Sequence, residues 1–518
     1  MVQIQRVFAC TLAAVAGLLL ACPPAQHREP VAQRTPDSPV KRSMPSRSSA
    51  PAAPKKLYTG GTRHLLFQIF TNASDPKFPP GSDDRVFTPP PREKLLEMAR
   101  TLVDRIGGTG DARNKLGFAL GPMAFDHTDE ETVQLIRDGF AIAEQLDLSV
   151  AFHIEESMFW ASRKNLWENR ANIEWLDWKG KPNTGRRIDW GPKPTKLKPQ
   201  MCFNSPEIVK LVEDRAALIG REVAKGVAAL RAKGKPELYA GVMAGWETQI
   251  GRDFASGRYL GYCGLANKGF SASNPPADID RERTQLIKDF IELWARSLAG
   301  AGVPKDSIYA HIAFTVQGLE EEKRSKQDSY AEQVKFSTPD VAFSPAFRPG
   351  FSTYPGPGTF ASIYSELEKH DTPPWASGEG TNVFPNGAPG EATMETYLGR
   401  SFNHGAAVVN VFSWGIGGEA EKNNMFRLVT ENDEAIEAYR KFLRGDPLVE
   451  DPARPLSMPE FRSKIERIHR ELPAWVQRTG DQKGAEAVIK RLGAQVNKGD
   501  LYEANRVADE AIDMIESK

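Results

Sequence analysis

Two stretches decide the fold, Gly245-Trp246-Glu247-Thr248-Gln249 and Ser377-Gly378-Glu379-Gly380-Thr381-Asn382. Each follows an apolar, strand-like run and places a glutamate among glycine, tryptophan or small polar residues. When similar apolar runs are counted along the chain, these two become the fourth and the seventh of eight candidate strands. The pattern therefore predicts eight strand–helix units with a glutamate after two of the strands.

The candidate strands are short apolar runs, and most are separated by segments of helical periodicity. The strands are residues 65–70, 116–120, 149–154, 239–244, 308–314, 341–344, 374–379 and 406–414. The helices are residues 92–106, 130–146, 206–232, 280–301, 359–369, 391–404 and 434–443, with Thr128 and Ser205 as N-caps. Alternating units predict a parallel sheet, and eight of them predict a (β/α)8 TIM barrel. An open doubly wound sheet is the alternative, but residues 68–72 lack its glycine-rich turn.

The N-terminal residues have the pattern of an export signal. Arg6 precedes an apolar run over residues 7–21, which ends in Leu19-Leu20-Ala21-Cys22. This ending resembles the lipobox of bacterial lipoproteins, and the resemblance implies lipidation of Cys22 and a lipid anchor in the cell envelope, on the periplasmic or cell-surface side. Plain secretion after cleavage is the alternative.

The chain has 518 residues, enough for a barrel with extensions. We predict a signal peptide over residues 1–21, a disordered Pro/Ser-rich tether over 22–56, a catalytic barrel over 57–445 and a helical, all-α C-terminal region over 446–518. Three helical patterns and no strand occur in residues 459–518.

Charge and cysteine use limit the possible partners. Lys+Arg and Asp+Glu both number 67, so no net field favours nucleic acid or an anionic membrane. Residues 179–198 include seven basic residues, with Trp178 and Trp190 interleaved, and this pattern predicts either a site for an acidic polysaccharide or a solvated lid. Cys202 and Cys263 can either form one disulfide or remain as two thiols.

No signature of a cofactor or metal enzyme stands out. HExxH, GxSxG and paired CxxC motifs are absent from the sequence. His153-Ile154-Glu155 is a possible metal-binding pair, but it lacks a second spaced pair. We therefore expect no cofactor and no metal.

Polar side chains cluster where the predicted strands end. His127, His153, Glu155, Glu247, His311, Glu379 and Trp414 lie at or just beyond these ends. Active sites of TIM barrels are built on that rim. Glycoside hydrolysis needs two carboxyl groups flanking the scissile bond, and strands four and seven face each other across a barrel mouth.

With this pair of glutamates, the chain resembles the retaining glycoside hydrolases of clan A, which end strands four and seven in an acid/base and a nucleophilic glutamate. The resemblance implies Glu247 as acid/base and Glu379 as nucleophile, acting on an oligo- or polysaccharide. It also implies sugar or nucleophile contacts by residues at strand ends three, six and eight: His153, Glu155, Glu156, Tyr354 and Trp414. The chain departs from the clan at Trp246, where an asparagine is usual.

Trp160, Trp246 and His311 complete the predicted substrate-binding set, since aromatic faces stack on sugar rings. Glu155 and Glu156 are rivals for the acid role. Two further interpretations stay open: an inverting barrel hydrolase of the β-amylase type, and a non-catalytic carbohydrate-binding lipoprotein.

Overall fold

The structure is a computed structural model, and it describes residues 60–71, 89–189, 194–314, 332–353, 357–380, 393–412, 434–449, 458–498 and 501–517. Eight parallel strands form one sheet in barrel order. They are β1 Arg63–Phe70, β2 Asn114–Gly121, β3 Ser149–Ile154, β4 Tyr239–Ala244, β5 Ile308–Ala310, β6 Gly350–Thr353, β7 Trp375–Gly380 and β8 Ala406–Val411.

Backbone hydrogen bonds close the sheet on itself. β1 pairs in parallel with β2 and with β8, with Leu66 opposite both Gly117 and Asn410. Between β5 and β6 the Ala310 amide donates to the Arg348 carbonyl at 2.9 Å, and the Ile312 amide donates to the Gly350 carbonyl at 3.0 Å. The predicted (β/α)8 TIM barrel is confirmed.

The position predicted for the sixth strand is wrong. The apolar run at residues 341–344 belongs to a 3-10 turn, Pro339–Ala342, and to the residues after it, and the strand itself is Gly350–Thr353. Gly350 explains the choice: a Cβ there would lie 1.9 Å from the Ala310 carbonyl oxygen, so only glycine lets β6 approach β5. The run instead contributes Val341, Ala342 and Phe343 to the core outside the barrel wall.

The helices follow the predicted sequence order, with bounds shifted by up to three residues. They are α1 Arg92–Ile106, α2 Asp129–Leu146, α3 Pro206–Ala232, α4 Ile279–Gly300, α5 Pro357–Lys369, α6 Met394–Phe402 and α7 Glu434–Arg444. Both predicted N-caps are present. Thr128 forms a capping box with Glu131, and the Ser205 hydroxyl accepts from the Ile208 amide.

The barrel lumen is packed with side chains. Leu66, Ala151, Tyr309 and Val408 belong to one buried apolar cluster inside the strands. Because side chains alternate between the two faces of a strand, the residues two positions later also face the lumen. At those positions stand Gln68, His153, His311 and Asn410, all fully buried. The lumen therefore changes from apolar to polar toward the carboxyl ends of the strands.

The C-terminal helices form a compact unit of their own. They are α8 Met458–Thr479, α9 Gln482–Lys498 and α10 Leu501–Glu516. Their amphipathic faces bury a separate apolar cluster that includes Phe461, Leu472, Leu492 and Val507. Among the described residues, no helix combines the length and the apolar character that a membrane crossing requires.

Candidate active site

Three side chains converge at the carboxyl ends of β4, β5 and β7. A carboxylate oxygen of Glu247, a ring nitrogen of His311 and a carboxylate oxygen of Glu379 all lie within 4.8 Å of one another. Glu247 and Glu379 expose 3% and 6% of their surface, and His311 is fully buried. The barrel thus brings together two acids that are far apart in the sequence.

The glycines around Glu379 are required by close packing. A Cβ on Gly378 would lie 2.9 Å from Cγ of His311, and a Cβ on Gly380 would lie 1.6 Å from the Tyr397 hydroxyl. That hydroxyl is held by hydrogen bonds with Thr353 Oγ1 at 2.7 Å and Ser377 Oγ at 2.9 Å. The two glycines therefore let β7 pack directly against His311 and Tyr397, and this packing fixes the backbone that carries Glu379.

Glu247 lies in a tight turn after β4. Its φ is +57°, and Gly245 has a φ of +97°. A left-handed conformation at a non-glycine residue is uncommon and costs about 1–2 kcal/mol. The carboxylate of Glu156 maintains the turn by accepting from the Trp246 amide and the Thr248 hydroxyl, both at 2.6 Å. Strain of this kind is typical of functional positions.

A line of hydrogen bonds connects Glu247 with the barrel interior. Ser352 Oγ on β6 lies 2.9 Å from Glu247 Oε1 and 2.8 Å from His311 Nε2. His311 Nδ1 lies 2.9 Å from His153 Nε2, and His153 Nδ1 lies 3.1 Å from Gln68 Oε1. We call the six residues of this line the relay chain: Asn410, Gln68, His153, His311, Ser352 and Glu247.

Both histidines are neutral near pH 7. Burial lowers the pKa of His311 to about 3 and that of His153 well below its usual value. The Coulomb effect of His311 lowers the pKa of His153 further, while a hydrogen bond with the Gly245 carbonyl acts in the opposite direction. The His153 ring also stacks on Trp246, at 4.1 Å between ring centroids and 6° between planes.

Glu155 and Glu156 have hydrogen-bond partners inside the protein. Glu155 accepts from the backbone amides of residues 157, 158 and 159, and Glu156 accepts from the Ser157 hydroxyl besides residues 246 and 248. Burial raises the pKa of each carboxyl, and the Glu156 charge raises that of Glu155 further. Both acids therefore support the loops around Glu247.

Arg186 is a site residue that the sequence interpretation did not single out. It comes from the basic loop, on a small antiparallel sheet of Arg186–Ile188, Thr195–Lys196 and Arg252–Asp253. Its side chain is 1% exposed, and Nη1 donates to Ser157 Oγ at 3.1 Å. Burial lowers the pKa of Arg186, and the negative charges of Glu155, Glu156 and Glu247 act in the opposite direction. At this position the basic loop is neither a solvated lid nor an exposed polysaccharide site.

The remaining predicted residues differ in their placement. Trp160 is fully buried, and its indole N–H donates to the Pro199 carbonyl at 3.1 Å, so its ring faces other protein atoms. Trp246 is 6% exposed and packs against His153 and Phe412. Tyr354, Trp414 and Cys22 lie outside the described residues.

Cys202 and Cys263 are buried free thiols, so the predicted alternative of two thiols applies to this structure. Burial raises the pKa of Cys202 well above its usual value, and a hydrogen bond with the Cys263 thiol acts in the same direction.

The convergent trio of Glu247, His311 and Glu379 matches a cation site in residue types and in spacing. Its hydrogen bonds favour a different role. Both ring nitrogens of His311 lie within hydrogen-bonding distance of protein side chains, and Glu247 Oε1 lies 2.9 Å from Ser352 Oγ. A metal would have to replace one of these bonds, so the trio is better described as two acids on a hydrogen-bonded support.

Comparison with known proteins adds no argument about fold or activity. No protein-family model and no curated protein matches the chain. Among solved structures, a GH138 enzyme targeting pectin rhamnogalacturonan II is 12% identical with a TM-score of 0.37, covering 87% of this chain and 44% of that one. D-psicose 3-epimerase of Clostridium cellulolyticum H10 is 11% identical with a TM-score of 0.34, covering 75% of this chain and 100% of that one. Likenesses this distant carry no argument about this chain.

Proposed function

We propose that this protein is a retaining glycoside hydrolase, with Glu247 as the acid/base and Glu379 as the nucleophile. The observation that carries the proposal is the approach of one carboxylate oxygen from each glutamate to within 4.8 Å of the other at the barrel mouth. Retaining glycosidases hold their two carboxyl groups about 5–5.5 Å apart, whereas inverting enzymes hold them about 6.5–9.5 Å apart. The spacing favours retention over the β-amylase alternative.

In the mechanism, Glu379 attacks the anomeric carbon while Glu247 gives its proton to the departing oxygen. The bond between that carbon and the leaving oxygen breaks, and a glycosyl ester forms on Glu379. Glu247, now ionised, then removes a proton from water, which attacks the ester and releases the sugar with its original configuration. Trp246 immediately precedes the acid/base, at the sequence position where clan A usually has an asparagine.

A panel of aryl glycosides with different sugars tests the proposal. The released sugar is followed by NMR from the first seconds, and we expect the anomer of the substrate to appear first. Glu247→Gln and Glu379→Gln should each lower kcat by at least about 100-fold, since acid–base catalysis alone contributes 10²–10⁴-fold. Appearance of the inverted anomer would exclude retention, and unchanged turnover by both variants would exclude this site.

The non-catalytic alternative is tested on the same panel. If wild-type protein binds oligosaccharides in calorimetry but hydrolyses none of the panel, the binding interpretation replaces the hydrolase. We also expect turnover to be unaffected by EDTA, because the site residues are hydrogen-bonded to protein side chains. Loss of turnover that returns with an added divalent cation would instead assign the trio to a metal.

The proposed setting is the bacterial cell envelope, through a lipid on Cys22. Labelling of growing cells with a radioactive fatty acid should mark the wild-type protein and leave Cys22→Ala unmarked. Release of wild-type protein into the medium without label would favour simple secretion.

A further inference from the structure

We propose that the relay chain fixes the direction of its hydrogen bonds so that Glu247 rests in its protonated form, ready to act as the acid. This inference deepens the proposed function and rests on it. Ser352, His311 and His153 act through Glu247 and are positioning residues. At the far end of the chain, backbone carbonyls fix the orientation of two side-chain amides.

Two amides at that end have fixed orientations. Asn410 Nδ2 lies 2.9 Å from the Gly378 carbonyl oxygen, and Gln68 Nε2 lies 3.1 Å from the Ala119 carbonyl oxygen and 3.2 Å from that of Gly121. A carbonyl oxygen only accepts, so each amide must present its NH2 group there. Gln68 Oε1 therefore faces His153 as an acceptor, and it also accepts from Asn410 Nδ2 at 2.9 Å.

The histidine tautomers follow from this acceptor. His153 Nδ1 must carry a hydrogen in order to donate to Gln68 Oε1 at 3.1 Å. A neutral imidazole has one N–H, so the hydrogen bond of this ring with the Gly245 carbonyl must share the Nδ1 hydrogen. His153 Nε2 is then an acceptor, and His311 Nδ1 donates to it across 2.9 Å. His311 Nε2 is then also an acceptor, and its partner at 2.8 Å is Ser352 Oγ.

Ser352 has a single hydroxyl hydrogen, and the chain directs it to His311. The 2.9 Å contact between Ser352 Oγ and Glu247 Oε1 then needs a hydrogen from the other side, namely a carboxylic acid proton on Glu247. If Glu247 were ionised, Ser352 would have to donate to it, and the lone pairs of His311 Nε2 and Ser352 Oγ would face each other. The direction of the chain therefore favours the protonated acid.

The ionisable groups around Glu247 act on its protonation from both sides. Glu379, when ionised as a nucleophile, favours a neutral Glu247, while the charge of Arg186 favours an ionised one. Arg186 shares its charge with Glu155 and Glu156. His311 provides no positive charge, because burial lowers its pKa to about 3. The direction of the hydrogen bonds in the relay chain adds a preference for the protonated form of Glu247.

The first test is the pH dependence of kcat/KM for Ser352→Ala, with Ser352→Thr as the matched control that keeps the hydroxyl. Removing the hydroxyl removes the acceptor of the Glu247 proton, so the alkaline limb should move to lower pH by about one unit or more. The threonine variant should restore it. An upward shift in Ser352→Ala would overturn the proposal, because it would mean that Ser352 donates to an ionised Glu247.

The second test does not depend on activity. Two-bond ¹H–¹⁵N spectra of the histidine rings in full-length wild-type protein report their tautomers, with assignments from His153→Asn and His311→Asn. We expect both rings to be neutral and protonated at Nδ1 from pH 5 to 8, and Glu247→Gln to leave them so, since its amide also donates to Ser352. A charged ring or an Nε2–H form at either residue would refute the chain. If no glycoside is hydrolysed, the proposed function fails while these spectra still decide the chain.

Discussion

Gly378→Ala tests whether the barrel wall holds His311 in place. In the wild type, a Cβ at residue 378 would lie 2.9 Å from Cγ and 3.0 Å from Cδ2 of the His311 ring. Ordinary contacts of a Cβ begin at 3.4 Å, so the ring or the strand must move by roughly half an ångström. Gly378 does not have a positive φ, so the effect is one of packing alone.

Two quantities should change. Forcing an extra methyl group into a packed interior costs about 1–3 kcal/mol, and we expect the free energy of unfolding to fall by that amount. A movement of His311 also lengthens its 2.8 Å contact with Ser352 Oγ or its 2.9 Å contact with His153. Small displacements in active sites are costly, and we expect kcat/KM on glycosides with poor leaving groups to fall about 10-fold or more.

Urea denaturation and steady-state kinetics measure these two effects. Gly300→Ala is the matched control, because Gly300 ends helix α4 and no atom lies within 4 Å of the added Cβ. We expect the control to be neutral or to gain up to about 1 kcal/mol. If Gly378→Ala matched the control in both stability and kcat/KM, the packing of β7 against His311 would not have the role described.

Three further predictions concern buried groups. Arg186→Met removes the hydrogen bond to Ser157 Oγ and the positive charge near Glu155 and Glu156, and should lower the free energy of unfolding by about 1.5–3 kcal/mol at pH 7; a loss under about 0.5 kcal/mol in urea denaturation would contradict this. Burial lowers the pKa of His64 to about 3. As the pH falls below about 6.5, His64 is protonated in the unfolded chain but not in the folded protein, so the free energy of unfolding decreases. His64→Gln should therefore reduce the slope of unfolding free energy against pH by up to about 1.4 kcal/mol per unit between pH 6 and 4, and an unchanged slope would refute the assignment. Cys202 and Cys263 should react with a maleimide only after unfolding, as peptide mapping will show; labelling of the native protein at the unfolded rate would contradict their burial.

Most of the barrel was predictable because its strands and helices have distinct periodicities. Capping signals at Thr128 and Ser205 marked helix starts that the structure contains. The sixth strand was not predictable by hydrophobicity, since the apolar run at residues 341–344 packs outside the barrel wall and the strand at Gly350–Thr353 is short. A contact between backbones, at Gly350, decided the strand position, and composition does not report such contacts.

Parts of the site were within reach of the sequence. Gln68 and Asn410 stand two residues after apolar lumen positions within predicted strands, and this alternation is a signal for polar residues that face the barrel interior. Arg186 had no such signal. It lies in a loop rich in charged and polar residues, which are usually exposed. Its burial depends on the small antiparallel sheet, which places its side chain next to Ser157.

By itself, the sequence determined the number and order of strand–helix units and the glutamates after the fourth and seventh strands. Those features depend on local periodicity and short-range turn chemistry. The tertiary structure decided which atoms meet: Glu247 with Glu379, His311 with Ser352, and Glu156 with the turn that carries Glu247. Barrel closure sets these distances, because strands far apart in the chain become neighbours only when the sheet joins its own edges. The direction of the relay chain likewise depends on carbonyl groups from two separate strands, β2 and β7.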